Sequence, residues 1–151
     1  MKKIIVPLLL AFIAVPLAAQ DRGFGAGVIV GEPTGLSIKN WLTPTTAIDG
    51  AAAWSFEGRD SFHVHASYLI HNFNLITVDE GRASVYYGIG ARARFREGMS
   101  TRAGVRVPVG LAYEFQQAPF ELFAEVAPIL DLSPSTDFSL NGAIGLRYYF
   151  N

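Results

Sequence analysis

Cysteine is absent from all 151 residues. Its absence removes three devices at once: a disulfide framework, a thiolate metal site and a lipidated N-terminal anchor. An exported small domain with a thin core ordinarily wants cross-links, so stability has to come from elsewhere. Charge is also scarce, at 17% of residues, and nearly balanced, with 12 Lys and Arg against 13 Asp and Glu. No basic run exists, which argues against nucleic acid as a partner. Beyond the first residues, no apolar stretch approaches the roughly 20 residues that a spanning helix needs.

The N-terminus reads as an export signal. Lys2 and Lys3 precede an apolar run from Ile4 to Val15, and the small-residue stretch Pro16-Leu17-Ala18-Ala19 follows. This is the order of a secretory leader, and cleavage is expected near Ala19. The run is too short for a membrane helix and is interrupted by Pro7 and Pro16. The expected organisation is therefore a leader over 1–19 and one domain over 20–151.

That domain is built on alternation. In Ala103-Val105-Val107-Val109-Leu111-Tyr113-Phe115 every second residue is apolar, the period of a strand with one face in an apolar medium. Eight such segments are expected, at Gly23–Gly31, Leu36–Leu42, Ala47–Phe56, Phe62–His71, Ala83–Arg94, Ala103–Phe115, Phe120–Leu130 and Phe138–Phe150. Turn-forming clusters of Gly, Pro, Asp, Ser and Thr separate most of them.

One face of these strands is almost wholly apolar. The other collects Lys39, Asp49, His63, His65, Ser67, Arg92, Arg94, Arg106, Glu114, Glu121, Glu125, Asn141 and Arg147, interspersed with glycines. Alternation does not say which face points outward; the aromatics do. They gather near strand ends, at Phe24, Phe56, Phe62, Tyr68, Tyr113, Phe115, Phe120, Phe138, Tyr148 and Phe150, and leave aliphatic residues between. Rings gain most at headgroup depth, and a soluble core has no reason to place its rings at the rims. The apolar face is therefore expected to meet lipid, giving an all-β, eight-stranded antiparallel up-and-down transmembrane barrel.

The chain closes on Gly145-Leu146-Arg147-Tyr148-Tyr149-Phe150. This resembles the terminal signal read by the bacterial outer-membrane assembly machinery, with Gly145, Tyr148 and Phe150 at the positions that carry it; here Asn151 follows the last aromatic. Residues 23–151 as a whole resemble the small outer-membrane barrels of the OmpA/OmpX type. The resemblance implies insertion into the outer membrane of a Gram-negative bacterium among lipid and lipopolysaccharide, assembly by the barrel machinery, and both termini on the periplasmic side. It brings no catalytic residues, since fold-level kinship does not transfer function.

Eight strands leave room for side chains but not for a diffusive pore. Lys39, Arg92, Arg94, Arg106 and Arg147 should pair with Asp49, Glu114, Glu121 and Glu125, Arg106 having both Glu121 and Glu125 within reach on the next strand, and the glycines should leave room for the arginines to cross. His63, His65 and His71 share a face, but no closed ligand set completes a metal site. His65-Ala66-Ser67 resembles the His-x-Ser pair of the lipid A deacylases, yet its phasing points into the lumen, away from any lipid ester.

Gly23-Phe24-Gly25-Ala26-Gly27 precedes no helix, so a dinucleotide reading fails on context. No catalytic residue, cofactor or metal is expected. The leading expectation is a non-enzymatic barrel with a structural or accessory envelope role. The alternatives are a lipid-modifying enzyme using His65 and Ser67, and a soluble periplasmic barrel holding an apolar ligand. Two features stand apart. Pro108 interrupts the sixth strand and should produce a bulge or a locally broken ladder, a place where the register can slip. The segment 71–81 should either extend the fourth strand or cover a mouth of the barrel.

Overall fold

A computed structural model describes residues 23–31, 34–55, 61–96, 101–133 and 135–150. The expected leader, Phe56, Asn151 and the expected turn over residues 57–60 between the third and fourth strands lie outside them. The strands are β1 (Phe24–Gly31), β2 (Gly35–Trp41), β3 (Thr46–Ser55), β4 (Ser61–Asn72), β5 (Arg82–Arg96), β6 (Arg102–Arg106), β7 (Val109–Glu114), β8 (Phe120–Ser133) and β9 (Asp137–Phe150). Each pairs antiparallel with its neighbours, and β1 pairs with β9 to close the ring. Strands β6 and β7 are two halves of one stave between β5 and β8, so the nine strands make eight staves.

The stagger of the ring follows from its register. From Gly25 the cross-strand partners run Lys39, Asp49, Ser67, Gly90, Arg106, Ile129 and Ser139. Gly25 itself pairs with Tyr149, ten residues beyond Ser139. With strands ~4.8 Å apart and a rise of ~3.3 Å per residue, an offset of ten around eight staves tilts them by about 40°. The lumen that results is one layer of facing side chains wide.

Pro108 does not shift the register. On both sides of it β5 and β8 keep one alignment: Gly90 faces Arg106 and Tyr87 faces Val109, while Ile129 faces Arg106 and Val126 faces Val109. What the stave loses is donors. The Pro108 carbonyl still accepts from Gly88 N at 3.0 Å, and Val107 N still donates to the Pro128 carbonyl at 3.0 Å. Neither proline returns a bond, so the ladder is thinned at two adjacent places and the stave is interrupted without a change of phase. The bulge lies instead between Ala103 and Gly104, whose partners on β8 are Ser133 and Asp131.

Orientation follows the alternation. Val105, Val107 and Val109 are 36%, 43% and 47% exposed on the outer wall, whereas Arg92, Arg106 and Glu125 are 6%, 1% and 6% exposed inside. Aliphatic residues such as Val28, Ile38, Ile48, Ile89, Leu111, Val126 and Ile144 cover the outside of the ring. Aromatics meet at its two rims. Phe24 stacks on Phe150, and Tyr148 packs edge-on to Phe120 and Phe150, at the mouth holding the ends of the barrel. Phe62 bridges Trp54 and Phe95 at the opposite mouth.

The large lumen aromatics depend on glycine. Phe123 faces Gly145, Tyr149 faces Gly25 and Tyr86 faces Gly110 on adjacent strands. A Cβ at Gly25 would stand 2.7 Å from Tyr149 Cε1, one at Gly110 2.5 Å from Tyr86 Cζ, and one at Gly145 would overlap the Phe123 ring. Each ring thus lies flat over a neighbouring strand. These three glycines make room for aromatics and not, as expected, for arginines.

The segment after β4 covers the mouth by the termini. Strand β4 extends to Asn72, whose side-chain oxygen accepts from Asn74 N at 2.9 Å and turns the chain. Phe73 then packs on Trp41 and His71, and the Arg82 guanidinium lies over the Phe73 ring at 3.9 Å. Trp41, Ala47 and Tyr149 form the buried floor beneath it.

Gly145→Ala is expected to destabilise the barrel by about 1–3 kcal/mol, because a methyl cannot enter without displacing the Phe123 ring. Urea unfolding of the folded barrel in micelles reads this. Combining it with Phe123→Leu should cost less than the sum of the single changes.

Candidate functional site

The site is the charged lumen, and the strands place its groups in three tiers. By the termini, Glu121 accepts from Lys39 at 3.0 Å and from Arg147 at 2.7 Å. Arg147 also reaches Asp49 at 3.3 Å and donates to Ser37 Oγ at 2.9 Å. Its guanidinium lies 3.8 Å above the Phe123 ring, and Lys39 Nζ lies 4.3 Å from the Trp41 ring centre. Lys39 Nζ also contacts His71 Nε2 at 2.9 Å, and His71 Nδ1 contacts Ser84 Oγ at 2.8 Å.

In the middle tier Arg106 pairs with Glu125 at 2.7 Å and donates to Ser67 Oγ at 2.9 Å. Tyr86 donates to the second oxygen of Glu125 at 3.1 Å. Ile29, Leu69, Tyr86 and Phe123, with Ala51, Ala112 and Ala143, form the apolar packing of the lumen. In the third tier Arg92 clasps Asp131 with two bonds, Nη2 to Oδ2 at 2.8 Å and Nε to Oδ1 at 3.2 Å. This fork-on-fork geometry is the strong form of a guanidinium–carboxylate contact.

Several sequence expectations need correction here. Arg106 pairs with Glu125 alone, because it stands opposite Ile129 on β8, four residues from Glu125 and eight from Glu121, while Glu121 stands opposite Arg147 on β9 and also meets Lys39. Glu114 stands outside the three tiers at the rim, 3.9 Å from Arg82. Arg94 pairs with no carboxylate among the described residues, and its enclosed Nε has no acceptor.

The Ser133-Pro134-Ser135 that follows Asp131 predicts a turn there; β8 instead runs on to Ser133 and buries Asp131 completely. The signal that finds it is parity, for Asp131 shares its phase with Glu121 and Glu125. Tyr86, in phase with Arg92, is found in the same way.

The histidines all face inward, and each meets a cation. His63 Nε2 lies 3.3 Å from Arg92 Nη1, His65 Nδ1 3.3 Å from Arg106 Nη1, and His71 beside Lys39. Among the described residues no three His, Cys, Asp or Glu side chains form a group able to hold a metal. Arg106 touches both His65 and Ser67, and no bond between that pair or from a carboxylate to His65 is present among the described residues. The geometry therefore does not assemble a nucleophile with its base.

Of the terminal motif, Tyr148 and Phe150 face outward in the aromatic rim, and Gly145 faces inward beneath Phe123. A cleft of about 500 Å³ opens at the same rim, among Arg82, Glu114, Phe115, Gln116, Phe120 and Tyr149.

No family model matches the sequence, and no curated protein matches it. Among solved structures, the N-terminal β-barrel domain of Pseudomonas aeruginosa OprF is similar in fold, with a TM-score of 0.58 at 15% sequence identity. The match covers 84% of this chain and 95% of that domain. At that identity the two share an architecture: antiparallel up-and-down strands closed in a ring of eight staves.

Breaking the tier by the termini should cost most. Glu121→Gln leaves Lys39 and Arg147 facing one another and is expected to destabilise by about 3–5 kcal/mol. Glu125→Gln, which strands one cation, should cost less. The double replacement Arg106→Met with Glu125→Met should be milder than Glu125→Gln alone. Denaturant midpoints of the four proteins, measured in the same detergent, give the order.

Proposed function

We propose that this chain is a non-enzymatic integral outer-membrane protein of a Gram-negative cell, with a structural or accessory role in the envelope. One observation carries the reading: the outer wall is aliphatic around the ring and edged by aromatics, while the arginines and carboxylates are enclosed. Such a wall in water would be an apolar patch far larger than soluble monomers expose. In a bilayer it is the solvent-matched surface, and the closed ring leaves no backbone edge in the hydrocarbon.

The rest of the reading follows from that placement. Residues 1–19 act as a cleaved export leader and 20–151 as the barrel. Both ends of the barrel lie at the periplasmic mouth, where Phe73 and Trp41 cap the lumen. Gly145, Tyr148 and Phe150 serve as the signal for the assembly machinery, and lipid with lipopolysaccharide surrounds the wall. The stacked ion pairs and aromatic layers support a lumen closed to diffusion, whose charges stabilise the barrel from within.

The test is fractionation followed by gel electrophoresis with and without boiling. The protein is expected in the membrane fraction, released by detergent and not by osmotic shock, with a mobility that shifts when the closed barrel is unfolded. Ile144→Arg, a charge placed on the aliphatic wall, should cost about 2–4 kcal/mol of folding stability in lipid. Recovery of soluble, detergent-independent protein would refute the reading.

A further inference from the structure

Among the described residues two prolines enter the ring of staves, and they meet at one place. Pro44 and Pro119 lie between strands, whereas Pro108 divides β6 from β7 and Pro128 lies within β8. A sheet confines proline to its edges and bulges, and a closed ring has no edge. Gly88 N donates to the Pro108 carbonyl and Val107 N to the Pro128 carbonyl, both at 3.0 Å. Gly88 with Pro108 and Val107 with Pro128 are therefore the kind of pair that exchanges two bonds in an antiparallel ladder. Each proline withholds the second, so this stave loses one bond to β5 and one to β8 at a single height.

Two further features weaken the β6 half of the stave. Strand β5 faces it with Gly88 and Gly90, and glycine inside a strand loosens pairing. The bulge between Ala103 and Gly104 disturbs the pairing with β8, within a strand that spans only Arg102–Arg106. On the other side of Pro108, β7 keeps an unbroken register with both neighbours, and the Tyr86 ring lies over Gly110. What holds β6 shut is a side chain: Arg106 crosses to Glu125 on β8 at 2.7 Å and to Ser67 on β4 at 2.9 Å.

We propose that β6 is a strap in the wall, hinged at Pro108 and latched by Arg106, which parts from β5 and β8 while the rest of the ring stays closed. Opening it is a local unfolding step drawn from the least stable part of the ladder. It connects the middle tier of the lumen with the medium around the wall. The strap rests on the ladder alone; that this medium is the bilayer rests on the membrane placement proposed above.

Hydrogen exchange is followed residue by residue by NMR on the folded barrel in micelles. The amides of Val105, Arg106 and Val107 are expected to exchange at one common rate, about tenfold or more faster than those of Gly110, Leu111 and Ala112, as two missing bonds imply. Pro128→Val, on the outer wall, returns a donor to the Val107 carbonyl and should slow the three about tenfold, the effect of one recovered hydrogen bond. Ser67→Ala loosens the latch and should speed them about tenfold, with the amides of Val28 and Leu146 at the β1–β9 seam unchanged.

A staple gives a second readout. Ala91 and Val105 stand opposite one another with both side chains on the outer wall, in a pair without mutual bonds, whose spacing a disulfide accepts. Ala91→Cys with Val105→Cys, once oxidised, should bring the Arg106 and Val107 amides to the rate of Leu111, and reduction should restore the difference. Heat-dependent gel shifts verify that each variant closes into a barrel.

Equal protection of β6 and β7 in the wild type would overturn the strap. So would protection rising steadily from Arg102 through Val107, the pattern of fraying from the mouth, or exchange that does not respond to Pro128→Val. A barrel that shows the strap in micelles yet fails to enter lipid would keep this inference and refute only the envelope reading.

Discussion

Arg147 reaches two carboxylates and a serine from the middle of a lumen that is one side-chain layer wide. That narrowness is the constraint on which the other features depend. In so narrow a ring a charge turned inward has to find its counter-charge on a facing strand. Breaking a buried pair leaves an uncompensated charge, a far larger loss than the pair's net contribution. The three tiers are the arrangement that avoids this. The aromatic layers fill what the ions leave open, and each large ring lies flat because the strand beside it presents glycine.

With the ionic groups enclosed, the wall is left to the aliphatic residues. This inverts the plan of a soluble barrel, in which the same alternation would seal valines in the centre. The ladder tolerates Pro108 because Val107 and Val109 keep the same outward phase on either side of it, and the flanking bonds to Gly88 and Pro128 persist. The similarity to the OprF barrel domain at 15% identity has the same origin. A barrel of this size asks for alternation, turns and a stagger, and many sequences meet those requirements. Kinship of that kind fixes a fold and leaves the role open.

Much of the architecture is legible in the sequence because a strand's period is two. The segments, the number of staves and the inward phase of Lys39, Asp49, Arg92, Arg106, Glu121, Glu125 and Arg147 all follow from alternate positions along one strand. Which of these residues meet does not follow, because partners across a barrel depend on the stagger, which no single strand encodes. Glu121 therefore joins Lys39 and Arg147 rather than Arg106, and the pairing of Phe123 with Gly145 becomes visible only with the β8–β9 register. Asp131 is hidden by its context: the Ser-Pro-Ser that follows favours a turn, yet tertiary pairing with Arg92 and the bulge at Ala103 carry β8 past it. Pro108 does break the ladder locally, as its missing N–H requires, and the unbroken odd-numbered apolar row through Val107 and Val109 already indicates that the phase does not change across it.

The absence of cysteine makes the central claim directly measurable. Single cysteines introduced at Val109, Leu111, Val126 and Ile144 on the wall, and at Ala112, Ala127 and Ala143 in the lumen, can carry spin labels in the lipid-reconstituted protein. The account predicts that the first set collides with dissolved oxygen as lipid-facing labels do, while the second is shielded from oxygen and strongly immobilised. Oxygen accessibility at the alanines with shielding at Val109, Leu111, Val126 and Ile144 would contradict it.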